Sequence, residues 1–406
     1  MSDYPKDWEE VELGEYNLIT SSKRVFEKEW KKRGVPFFRT RDIVSFHSKE
    51  EQNDKLFISE ETYRNKVTVS GAPHKGDLLV TGVGSIGIPF LIENDNKIYF
   101  KDGNIIWIKK GDFFHPKYLY YLFLTSKIKN QILNYSGFTT VGTFTIKNAK
   151  KLRIPKISLK EQKSIADTLM TFDKHIENLE KLIEKKKIIR DGAVEDLMTG
   201  KTRLYGFDGE WEKVTILDLM SPYGGLSGKS SKDFKDGNKK YISYLKVFNN
   251  LYIEKVDTKV IIKKNEMQNA VNKGDIIFTQ SSETLDEVGM ASTYLGEEEV
   301  YLNSFCFGIR KKREFNSVFM VLLLRSEEIR KKISTEGQGS TRYNLSPNRL
   351  MNIELLIPSL KEQEAIADIL TSMDEEIENL EKEKTKIEKI RAGAMDDLLT
   401  GKVRLV

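Results

Sequence analysis

The sequence predicts an α+β protein: two α/β domains on a mainly β core, separated by two long, near-identical helices that form an antiparallel coiled coil, with a pseudo-twofold internal repeat. Three observations carry this expectation. One segment occurs twice, about 201 residues apart, with more than half of the aligned positions identical. Each copy has apolar residues at helical spacing, and the longer stretch before each copy shares a strand-rich frame while differing in its loops. The expected division is 1–155, a first variable domain; 156–204, the first helix; 205–358, a second variable domain; and 359–406, the second helix.

The first variable stretch opens on Trp8, Val11 and Leu13, and the second on Trp211, Val214 and Ile216. Lys75-Gly76-Asp77-Leu78-Leu79-Val80-Thr81 corresponds to Lys273-Gly274-Asp275-Ile276-Ile277-Phe278-Thr279, a polar turn entering a short buried strand. Strand-rich pieces follow at 98–109 and 300–311, then helical stretches at 116–133 and 317–333. Loops rich in glycine and threonine, 136–145 and 336–343, precede a return through Leu152-Arg153-Ile154-Pro155 or Leu356-Ile357-Pro358.

The repeated segment then begins at Leu159-Lys160-Glu161-Gln162 and again at Leu360-Lys361-Glu362-Gln363. Ile165, Leu169, Phe172, Ile176, Leu179 and Ile183 alternate in steps of four and three, which lines them along one seam. Ile366, Leu370, Met373, Ile377, Leu380 and Ile387 repeat the seam, interrupted at Lys384. Glycine at Gly200 and Gly401 supplies a C-terminal stop. A helix running from Leu159 to Leu197 would span about 55 Å at 1.5 Å per residue.

Composition narrows the function classes. An apolar fraction of 39% and an aromatic fraction of 10% belong to a folded chain. The net charge of +5 permits nucleic-acid binding without demanding it, because 61 acidic residues nearly balance 66 basic ones. Cys306 is the only cysteine, which excludes an intrachain disulfide and a cysteine-based zinc site. The polar N-terminus and the lack of a long apolar run imply no membrane association and a cytoplasmic protein.

Catalytic signatures are missing. No Pro-Pro pair occurs, so the proline-proline-aromatic loop of amino-group DNA methyltransferases is absent, and with no length to spare for a catalytic domain a fused modification enzyme is disfavoured. Gly224-Gly225-Leu226-Ser227-Gly228-Lys229-Ser230 has three residues between Gly224 and Gly228 where a phosphate loop needs four. His47, His74, His115 and His175 lack metal-ligand spacing, and no metal site is expected.

What remains are loops mixing cations, hydroxyls and amides, side chains that can reach phosphates and base edges. In the first domain the candidates are Lys23, Arg24, Arg39, Arg41, Thr81, Ser85, Thr139, Thr140 and Thr143. In the second they are Lys229, Lys232, Lys246, Gln280, Ser281, Ser282, Gln338, Arg342, Tyr343 and Asn344. Polar positions repeated in both helix segments form a second set: Glu161, Gln162, Asp196, Lys201 and Arg203 with Glu362, Gln363, Asp397, Lys402 and Arg404. Taken as exposed, they are candidates for holding one partner at each copy.

The order Gly-Asp-Leu/Ile-Leu/Ile, threonine-rich loop, Ile-Pro, Leu-Lys-Glu-Gln, Ile-Ala, Lys/Glu helix and Thr-Gly-Lys-x-Arg-Leu resembles the specificity subunit of type I restriction-modification systems over essentially the whole chain. The resemblance implies two target-recognition domains, each reading one half of a bipartite site in double-stranded DNA. It implies spacer helices that set the gap and hold two modification subunits, with restriction subunits joining them. The chain itself would be non-catalytic and carry no cofactor; S-adenosylmethionine, ATP and Mg would sit on the partner subunits. The competing reading is a coiled-coil interaction protein with two variable ligand-binding domains.

Overall fold

In the computed structural model, which describes residues 4–50, 54–136, 142–234 and 236–405, the chain forms two units: residues 1–180 with 382–406, and residues 181–381. Each unit therefore combines one variable domain with part of both long helices, Leu159–Met198 and Leu360–Thr400. The boundary between domain and helix drawn from sequence does not coincide with a boundary of packing.

In the first unit the variable domain is closed by its own ends. Glu9–Glu12 pairs antiparallel with Arg153–Lys156, placing Val11 opposite Ile154. Inside, Leu78–Thr81 lies between Ile105–Ile108 and Pro89–Leu91 in an antiparallel sheet completed by Ile19–Thr20. All four residues of Leu78–Thr81 are buried, which is why the sequence shows an apolar run rather than alternation. A second sheet orders Trp30–Lys31, Leu56–Ile58, Val35–Phe38 and Tyr99–Phe100, the last pair parallel.

The second unit repeats the plan. Glu212–Thr215 pairs with Glu354–Ile357, and Ile276–Thr279 lies between Cys306–Lys311 and Ala291–Tyr294. A second sheet orders Lys259–Val260, Lys239–Ile242, Val300–Leu302 and Ala270–Val271.

The repeated Lys-Gly-Asp turn has the same physics in both units. Gly76 and Gly274 take positive φ, +96° and +86°, where a Cβ would be strained. The following aspartate is buried and ties the turn to its sheet. Asp77 accepts hydrogen bonds from His74 N–H, Trp107 Nε1–H and Lys110 N–H, and Asp275 from Asn272 N–H, Tyr223 Oη–H and Arg310.

Each single helical stretch expected after the strands is two helices, Pro116–Leu124 with Ser126–Ser136 and Ser317–Arg325 with Glu327–Thr335. The break falls at Thr125 and Ser326, whose extended backbones leave the helix while their hydroxyls donate to the carbonyls of Leu122 and Leu323. The first helix of each pair is apolar on most of its circumference and enters the core, as its composition requires.

The long helices start at Ser158 and Ser359, whose hydroxyls accept from the N–H groups of Glu161 and Glu362, and they stop where Gly200 and Gly401 adopt φ of +68° and +74°. Their first turns belong to the domain cores: Ile165, Ala166 and Leu169 pack with Leu78, Tyr118 and Leu122, and Ile366, Ala367 and Leu370 with Ile276, Phe319 and Leu323. The apolar seam thus serves domain packing first and helix pairing further along. In the first unit Arg391 pairs with Asp173 and Lys384 with Glu180, so sequence number rises along one helix as it falls along the other: the pairing is antiparallel. Lys384, which interrupts the seam, is thereby matched by a carboxylate. In the second unit Arg190 grips Asp374 through Nε at 2.8 Å and Nη2 at 3.2 Å, the repeat of the Arg391–Asp173 pair.

Cys306 is buried in strand Cys306–Lys311, and burial pushes its thiol up to about 12. At pH 8 its thiolate population should be about a thousandfold below that of an ordinary thiol, so a disulfide reagent should label it only when the second unit opens. Full labelling of the native protein within minutes would contradict this packing.

Candidate nucleic-acid interface

In both units three backbone segments converge on one place: the end of the central strand, the turn leading into the next strand of the sheet, and the segment preceding the return strand. In the first unit Gly82 N–H donates to Asn104 O at 2.8 Å, Phe144 N–H donates to Gly82 O at 2.8 Å, and Val83 bridges Thr143. In the second, Gln280 N–H donates to Phe305 O at 2.9 Å, Leu345 N–H donates to Gln280 O at 2.8 Å, and Ser281 pairs with Asn344. Position by position, Gly82 and Gln280, Asn104 and Phe305, Phe144 and Leu345 are counterparts. The backbone is constant here and the side chains are not.

The expected residues divide on this frame. In the first unit Lys23, Arg24, Arg41, Ser85 and Thr143 are exposed. Arg24 reaches Asp102 beside the Asn104 turn, and Thr40 Oγ1 donates to Asn104 O. Thr139 and Thr140 lie outside the described residues. In the second unit Gln338, Arg342 and Asn344 are exposed, with Gln338 and Asn344 exchanging backbone hydrogen bonds at 2.8 and 2.9 Å. Tyr343 and Gln280 are half-buried in the same cluster, and Lys246 is half-buried on helix Tyr244–Asn249, whose Tyr244 hydroxyl donates to Ser281 O at 2.6 Å. An open depression of about 390 Å³ adjoins this cluster, lined in part by Gly225, Gln280, Ser304 and Pro347.

Five of the expected readers are instead internal supports. Thr81 is fully buried, its hydroxyl donating to Ser85 O and accepting from Ile88 N–H at 2.9 Å, so it closes the turn that presents Ser85. Ser281 and Ser282 are buried, their strand consumed by pairing with Tyr343–Asn344. Arg39 folds back on Asp42 and Asp54 with its side chain 13% exposed. The Lys229 side chain is 4% exposed, donating to Glu266 and to Ile261 O; hydrogen bonding to this ammonium holds the Glu266 carboxyl down at about 2. The glycine-rich stretch around Lys229 is an internally braced loop, with Lys232 exposed on it. Among the described residues no group of three or more His, Cys, Asp or Glu side chains could hold a metal ion.

The repeated polar residues of the helices also need correction, because Glu161, Gln162, Glu362 and Gln363 are not exposed. Glu161 receives a two-pronged pair from Arg404, and Glu362 one from Arg203 at 2.6 and 2.8 Å. The guanidiniums also lie over Trp8 and Trp211, at 5.4 and 5.5 Å from the ring centroids. Gln162 accepts from His115 N–H at 2.7 Å and donates to Phe113 O and Ile157 O, while Gln363 accepts from Asn316 N–H and donates to Pro358 O. These residues recur because each unit builds the same clamp between helix start, domain and the end of the other helix. Lys201 and Lys402 are exposed and Asp196 and Asp397 half-buried, paired as Lys201–Asp196 and Lys402–Asp396, with Asp397 4.0 Å from Lys402.

Comparison with known proteins accords with this duplicated frame. The type I restriction modification DNA specificity domain matches twice, at residues 5–187 and 208–389. The chain belongs to this family. It is 25% identical to the type I restriction enzyme MjaVIII specificity subunit of Methanocaldococcus jannaschii, over 99% of this chain and 94% of that protein. It is 24% identical to the MjaIX specificity subunit of the same organism, again over 99% and 94%. In fold it resembles the S subunit from M. genitalium (TM-score 0.55, 16% identity, 98% of this chain and 99% of that one) and the HsdS subunit from Thermoanaerobacter tengcongensis (TM-score 0.54, 15% identity, 98% of each). Specificity subunits of type I systems are DNA-recognition subunits, and catalysis belongs to their partners. No helix among the described residues is long and apolar enough to cross a membrane.

Proposed function

We propose that each unit of this specificity subunit reads one half of a bipartite site in double-stranded DNA through its convergent loops, and that the long helices set the gap between the halves. The observation carrying this reading is the pairing of a constant backbone with different side chains: Gly82, Asn104 and Thr143 in one unit stand where Gln280, Phe305 and Asn344 stand in the other. A frame that keeps its hydrogen bonds while exchanging its exposed groups is suited to reading two different sequences on one scaffold. Exposed cations beside it, Lys23, Arg24 and Arg41 in the first unit and Arg342 in the second, would engage phosphates or guanine edges. The repeated residues Asp196, Lys201, Asp397 and Lys402, whose lysines are exposed, would each contribute to holding one of two modification subunits, which would carry S-adenosylmethionine. Restriction subunits would add ATP- and Mg-dependent chemistry.

The test is selection from a random pool of DNA duplexes by the complex reconstituted with its modification subunits, at moderate salt. Two short specified blocks separated by an unread gap are expected. Failure to enrich any sequence would favour the coiled-coil interaction reading.

A further inference from the structure

Phe305 is the exposed side chain at the second unit's convergence point that polar recognition does not explain. It is 61% exposed, while its neighbour Cys306 is buried. Its backbone is fixed at both polar atoms: its N–H donates to Asn303 Oδ1 at 2.8 Å, and its carbonyl accepts from Gln280 N–H at 2.9 Å. The turn is closed by Cys306 N–H donating to Asn303 O at 3.0 Å. The ring is therefore held outward by a rigid support beside Gln280, and Gln280 is tied in turn to the segment carrying Asn344.

The exposed groups around it, the amides of Gln338 and Asn344 and the guanidinium of Arg342, recognise donors and acceptors on base edges. None of them recognises the one apolar feature of the major groove, the thymine 5-methyl group, which an aromatic or aliphatic side chain contacts. In the first unit the same backbone position, making the same carbonyl hydrogen bond, holds Asn104, whose amide suits adenine. One position thus carries two reading chemistries in the two units.

We propose that Phe305 is a specificity-determining residue whose ring packs against the methyl group of a thymine in the half-site read by the second unit. The inference rests on the DNA-recognition reading above. The experiment uses the assembled complex and duplexes carrying its selected site, in which each thymine of that half-site is replaced singly by deoxyuridine. One replacement should weaken binding by the unaltered protein about fourfold, the worth of one buried methyl-sized group. Phe305→Ala should bind the original duplex about as weakly as the unaltered protein binds the replaced one, and should be indifferent to that replacement. Phe305→Asn, which installs the first unit's side chain, should also lose the response, and protection of Cys306 checks that both variants are folded. Equal responses of variants and unaltered protein at every thymine, or a half-site without thymine, would overturn the assignment while leaving DNA recognition standing. A complex that selects no sequence at all would overturn both.

Discussion

Gln162→Leu is expected to destabilise the first unit by about 3–5 kcal/mol, although the replacement is apolar and enters a fully buried position. Leucine would bury about as much surface, but it leaves His115 N–H without an acceptor and the carbonyls of Phe113 and Ile157 without the donor they share. Each of these part-buried polar groups, left without a partner beside the buried leucine, costs about 1–3 kcal/mol to the extent that water cannot reach it, which outweighs the gain from an added apolar group. Gln363→Leu should cost less, about 2–4 kcal/mol, because Gln363 Nε2 serves one carbonyl, that of Pro358, rather than two. The units can be followed separately. Three of the four tryptophans, Trp8, Trp30 and Trp107, lie in the first, and Cys306 reports on the second. Urea unfolding monitored by tryptophan fluorescence and by thiol labelling should show each variant lowering its own unit's midpoint. Losses below about 1 kcal/mol in both would mean that these amides are dispensable and that the repeated Gln serves some other end.

The misassignment of these residues shows where sequence reading stops. The long helices were legible because their signal is local: apolar residues every three or four positions, repeated, and ended by glycine at Gly200 and Gly401. The clamp at their ends was not, because Glu161 finds Arg404 at a separation of 243 residues, and a charged residue on a helix ordinarily indicates solvent. A repeated carboxylate, guanidinium and tryptophan at matched offsets was the available clue, since residues that recur together in two units can be partners rather than three surface features. Five residues of the candidate interface are internal for the same physical reason. Thr81 and Ser281 look like presented hydroxyls, but a loop that must hold side chains outward uses some of its own polar groups internally. Phe305 was missed for the converse reason: an aromatic residue entering a strand reads as core, and its exposure depends on the Asn303 turn. Strands of two to four residues, such as Trp30–Lys31 and Val35–Phe38, are too short to display a period at all.

Exchanging residues 9–156 for the corresponding stretch of another specificity subunit is expected to replace one half of the recognised site completely and leave the other half unchanged. These limits follow from the packing. The strand pair Glu9–Glu12 and Arg153–Lys156 travels as a unit, so its register is preserved. Trp8 stays behind, where Gly401 leaves room for its ring and Arg404 lies over it. The Glu161–Arg404 and Arg391–Asp173 pairs also remain native, so the first unit's helix segments keep their antiparallel register. The donor must bring apolar residues to the places of Leu78, Tyr118 and Leu122, because these meet Ile165, Leu169, Leu398 and Leu399 in one core. Nothing in the second unit's own core or loops is touched, and its convergent segments around Gln280, Phe305 and Asn344 are unaltered. A cut placed after Val11 instead would split the closing strand pair and should lower the yield of folded protein. Mapping the methylated sites of the reconstituted complex reads the outcome. A chimaera that folds yet changes both halves of the site would show that the loops of one unit depend on the other, and modular reading would have to be abandoned.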